Sequence, residues 1–61
     1  MSYYIKNIFT GRFVKIEESY SRLEINYVEG VEQATRYRTD YEGTNELLNL
    51  KLSNCTVVLL D

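Results

Sequence analysis

The chain has 61 residues and a formal charge of −2, which makes it one domain close to the lower limit of what folds unaided. Its single cysteine, Cys55, excludes an intrachain disulfide and a thiolate metal site, and nothing beside it in the sequence would lower its pKa for catalysis. The absence of histidine removes the commonest general base, most zinc sites and any Ser–His or Cys–His nucleophile pair.

Residues 3–9 are aromatic and β-branched and predict a first strand. Thr10-Gly11 predicts a two-residue turn, and residues 12–17 the returning strand. Alternation then puts Tyr3, Ile5, Phe9, Val14 and Ile16 on one face, and Tyr4, Lys6, Ile8, Phe13 and Lys15 on the other. Residues 18–21 form a break. Residues 22–28 alternate Leu23, Ile25 and Tyr27 with Glu24 and Asn26, the pattern of a third strand. Glu29-Gly30 is a second turn signal. Residues 31–39 suit either a short helix or a strand, and the turn before them favours a strand returning beside the third. Residues 40–45, containing Gly43, read as the longest polar loop.

The last fifteen residues hold nine strongly apolar side chains, so any core must draw on them. Folding back at Ser53-Asn54 would set Leu52, Leu50 and Leu48 opposite Cys55, Val57 and Leu59 on one apolar face. A helix over residues 46–54 is the competing reading, since Leu and Glu favour helices. The predicted fold class is all-β or mostly β: an antiparallel meander of about five to six short strands, curled into a strongly twisted sheet or small barrel.

Gly11, Gly30 and Gly43 are isolated, so there is no phosphate-binding glycine loop, and each is expected to mark a turn. Asp40, Glu42 and Glu46 could gather a cation, but their spacing fails the calcium-loop pattern and a solvated acidic loop is the default. Neither a metal, a cofactor nor a catalytic residue is expected, and the chain is read as non-enzymatic. No apolar run approaches membrane-spanning length and no leader pattern is visible, so a cytoplasmic location is expected.

Charge is uneven. Residues 1–16 carry Lys6, Arg12 and Lys15 without acids, whereas residues 17–46 carry eight acids against Arg22, Arg36 and Arg38. That acidic middle suits a positively charged partner surface. Six tyrosines are more than so small a sheet can bury, and tyrosine concentrates at protein interfaces. Tyr20, Tyr37 and Tyr41, flanked by Glu29, Glu32, Asp40 and Glu42, are therefore the candidate partner-binding residues. Tyr4 with Phe13 and Ile8 is a second possible patch; cover over the core is the competing role for all these rings. Arg36-Tyr37-Arg38 is the one compact basic-aromatic cluster. Its arginines could grip phosphates while Tyr37 stacks on a base, or each arginine could simply pair with a neighbouring-strand acid such as Glu24.

Residues 45–55 resemble the end of the first Sm motif: an acid or amide, two residues, then an apolar-Asn-apolar run entering a strand. The resemblance implies a small β-barrel ring protein that binds RNA, with Asn49 in the base-contacting position. It covers about a sixth of the chain, the family's strand-bending glycine has no clear counterpart, and its second motif is not present in the 61 residues, so it does not carry the assignment. The expectation is a protein-binding module, homodimeric, of the small accessory or inhibitory kind that phages encode, contacting a host protein through an acidic, tyrosine-rich surface. The alternative is a small β-barrel nucleic-acid-binding protein using Arg36, Tyr37 and Arg38.

Overall fold

The computed structural model describes residues 1–60, which form four antiparallel strands in one open sheet and one helix packed on it. The strands are β1 (Ser2–Asn7), β2 (Phe13–Ser19), β3 (Arg22–Val28) and β4 (Cys55–Leu60). A short 3₁₀ turn covers Val31–Gln33, and helix α1 spans Asp40–Asn49. The sheet order is β3-β2-β1-β4. The fold is thus mostly β, with fewer strands than the sequence suggested and no closure into a barrel.

The first hairpin forms with the expected faces but a different register. Lys6, not Ile8, stands opposite Phe13. The reason is Asn7, whose side-chain oxygen accepts from the N–H groups of Phe9 (2.9 Å) and Thr10 (3.0 Å) and ends the strand early. Gly11, at φ 76°, completes the longer loop. A two-residue change of register leaves every side chain on its original face. Ile5 and Val14 are accordingly fully buried on one face. On the other, Tyr4 meets Phe13 edge-on at 6.2 Å and the Lys6 ammonium lies 5.8 Å from the same ring. Tyr4 is buried there, so it forms no exposed patch with Phe13 and Ile8.

Residues 31–39 do not return beside β3. After the 3₁₀ turn the chain runs extended between β1 and β2. Thr35 N–H donates to Val14 C=O (3.2 Å), and Thr35 Oγ1 accepts from Ile16 N–H (2.8 Å). Further on, Tyr37 exchanges both backbone hydrogen bonds with Tyr3 (2.8 and 3.0 Å). This wedge satisfies the backbone groups that β1 and β2 expose as they diverge.

The expected C-terminal hairpin is half right. Residues 55–60 form β4, which pairs with β1 over its whole length, from Ser2 opposite Leu60 to Asn7 opposite Cys55. Residues 47–49 instead end the helix. Its start is a reciprocal cap: the Thr39 side chain accepts from Glu42 N–H (3.1 Å), and the Glu42 carboxylate accepts from Arg38 N–H (3.1 Å). Its end is a Schellman motif, with Lys51 at φ 52° and Leu52 N–H reaching back to Leu47 C=O (3.1 Å). Gly43, Glu46, Leu47 and Leu50 recur at helical spacing and are the covered positions. Gly43 is no turn residue; it lets the helix approach the sheet, where an added Cβ would lie 3.2 Å from a Val57 methyl.

Candidate protein-interaction site

Helix α1 packs mainly on β4 and β1, so the β2–β3 hairpin projects with much of its surface free. The two strands pair over seven positions, from Phe13 opposite Val28 to Ser19 opposite Arg22, and turn through Tyr20-Ser21. Along β3 every residue but Val28 is exposed.

Two local rules are broken at the tip. Tyr20 sits at φ 55°, a left-handed conformation that costs a bulky residue about 1–3 kcal/mol and is normally given to Gly or Asn. Its ring is fully exposed, so no packing compensates. Secondly, Glu17 stands directly opposite Glu24, a like-charge cross-strand pair that opposes sheet formation. Lys15 lies 3.1 Å from Glu17 and offsets part of that repulsion. With Glu18 opposite Leu23, the tip carries three carboxylates beside one exposed tyrosine, and Arg22, opposite Ser19, is the basic residue that flanks the turn.

The helix spares a row on one face of β3 as well. Leu23, Ile25 and Tyr27 remain 45%, 37% and 41% exposed. The Tyr27 hydroxyl has its pKa raised, first by desolvation and then by the neighbouring Cys55.

The other residues singled out from the sequence are distributed. Tyr37 is half-buried beneath the helix, close to Gly43, and its hydroxyl is buried with no hydrogen-bond partner among the described residues. Desolvation, with the nearby Glu46 carboxylate adding to it, pushes its pKa up to about 12. Tyr41, Asp40 and Glu42 belong to the first turn of α1, where their exposure reflects the solvent side of a helix. The Asp40 carboxylate accepts from the Thr44 hydroxyl at 3.1 Å. Glu29 lies at the opposite end of β3 from Tyr20 and approaches Arg12 at 3.8 Å, and Glu32 is in the 3₁₀ turn. Only Tyr20 of that set is at the hairpin tip. Glu17, Glu18 and Glu24 were missed, although a turn at Tyr20-Ser21 would have put Glu17 across from Glu24.

Arg36 and Arg38 are exposed and make no ion pair among the described residues, with Glu24 or otherwise. With Tyr37, Glu42, Asn45 and Glu46 they line an open groove of about 430 Å³. Two carboxylates facing two guanidiniums cancel much of the field that a phosphate would seek, and Tyr37 is held under the helix rather than free to stack. Asn49 lies in α1, not in a strand, so the geometry that the Sm resemblance requires is not present.

No family model matches the chain, and neither the curated proteins nor the solved structures give a match. Among the described residues no helix is long and apolar enough to cross a membrane.

Proposed function

We propose that this chain is a non-enzymatic protein-binding module whose contact element is the tip of the β2–β3 hairpin. The observation that carries the reading is the coincidence at one tip of a strained, fully exposed Tyr20 and the opposed pair Glu17–Glu24. Local choices that oppose folding concentrate where function demands them. Tyrosine offers a large amphipathic surface with few rotatable bonds, and the surrounding carboxylates select a cationic protein face. The role fits an accessory or inhibitory protein that acts by occupying a partner's surface.

The test is affinity capture with the intact chain and two variants, before and after nuclease. Wild type retains a protein in stoichiometric amount, in a salt-sensitive manner. The double variant Tyr20→Ala, Glu24→Lys loses it. Arg36→Ala with Arg38→Ala retains it. If nucleic acid is recovered instead, and the arginine variant loses it, the hairpin reading fails and the groove takes its place.

A further inference from the structure

The outer edge of β3 supports a second inference, independent of what the hairpin tip binds. Arg12 C=O, just before β2, and Val14 C=O within it accept from Asn7 and Thr35 N–H, and Ile16 N–H donates to the Thr35 hydroxyl, so these residues turn their backbone groups away from β3. Alternation turns those of Phe13, Lys15, Glu17 and Ser19 toward β3, where they meet Val28, Asn26, Glu24 and Arg22. The intervening β3 residues, Leu23, Ile25 and Tyr27, therefore direct their N–H and C=O groups outward. Among the described residues nothing pairs with them. The same three residues carry the partly exposed apolar row.

We infer that this edge pairs with the β3 edge of a second copy of the chain, antiparallel, about a two-fold axis at Ile25. Three constraints select that arrangement. An odd shift would set the apolar row of one copy against the polar face of the other, so only even registers keep the row continuous. Centring on Ile25 matches all three outward-facing residues, Leu23 with the second copy's Tyr27, Ile25 with Ile25 and Tyr27 with Leu23, as hydrogen-bonded pairs. It also sets Glu24 against Asn26. Centring on Glu24 would oppose two carboxylates, and centring on Asn26 would set Leu23 against Glu29. Pairing would bury both β3 edges in one continuous eight-stranded sheet, with β4 as the outer strand on either side.

Seven residues a side fall well short of the roughly 20–30 of a standard interface, so the dimer is weak and depends on concentration in the micromolar range. Because the strands run antiparallel, the two hairpin tips point to opposite ends, with their Tyr20 residues roughly 33 Å apart at about 3.3 Å per residue. The dimer would present two equivalent tips and gain avidity on a repeated partner.

Sedimentation equilibrium of the intact chain from about 10 µM to about 1 mM tests the pairing without any partner. The average mass rises toward two chains, and Ile25→Lys holds it at one. The register is read by mild oxidation in a Cys55→Ala background: Ile25→Cys cross-links as a disulfide dimer and Glu24→Cys does not. A wild-type mass that stays at one chain up to about 1 mM overturns the inference. So does a dimer indifferent to Ile25→Lys, or equal cross-linking from positions 24 and 25.

Discussion

Replacing Tyr37 by Phe removes one hydroxyl and should make the protein more stable. The phenol oxygen lies buried under α1 with no hydrogen-bond partner among the described residues. A buried polar group left unpaired costs about 1–3 kcal/mol, and removing it forfeits little packing, so the expected gain is about 1 kcal/mol. In a chain this small that raises Tm by roughly 4–8 °C. The pKa, pushed from the ordinary 10 to about 12, supplies a second readout. Because the folded state holds the proton more tightly than the unfolded one, this contribution is intact below pH 10 and is lost as pH rises toward 12. The stability gap between Tyr37→Phe and wild type should therefore widen over that window in urea titrations followed by circular dichroism. A variant that melts several degrees lower at pH 7, with an unchanged gap above pH 10, would show that the hydroxyl is hydrogen-bonded and that its burial has been misread.

At the hairpin tip, Tyr20→Gly should relieve the positive φ and stabilise the fold by about 1 kcal/mol while weakening partner capture; a loss of stability would show that the turn is not strained. Glu24→Lys replaces repulsion across from Glu17 with attraction, gaining about 0.2–1 kcal/mol in thermal melts, and it too should reduce capture. Thr39→Ala deletes the helix cap and should cost about 1 kcal/mol in denaturant titration. Gly43→Val forces a branched side chain into a gap where one Cβ already meets Val57 at 3.2 Å, and should cost about 1–3 kcal/mol or more; an unchanged Tm would place the helix farther from β4.

Strands were legible where β-forming residues ran unbroken between turn signals, aromatic and β-branched in residues 3–7 and alternating apolar with polar in 22–28. The helix was not, for an identifiable reason. Gly43 and the polar residues around it looked like a loop, although a glycine at a close helix–sheet approach serves packing. The signals were present in Thr39-x-x-Glu42, a capping-box pattern, and in the 43, 46, 47, 50 spacing of the covered side. Ser53-Asn54 was rightly a turn, with Asn54 at φ 58°, but the same apolar leucines fit a strand or a helix over so short a run, and only β4 pairing with β1 distinguishes them. Tyr20 was legible as an exposed aromatic in a break. Its acidic neighbours were not, because their meaning depends on which residue stands across the ladder. The segment 34–37 could not be read at all from local pattern, since its partners, Tyr3 and Val14, are far away in sequence.

The most direct test of the hairpin as contact element is site-specific photo-cross-linking in extract, with a benzophenone amino acid at position 20 compared with one at position 45 in the Arg36–Arg38 groove. A nuclease-resistant adduct to one polypeptide from position 20, and none from position 45, is the predicted result. Adducts formed only from position 45, or adducts to nucleic acid, would contradict it.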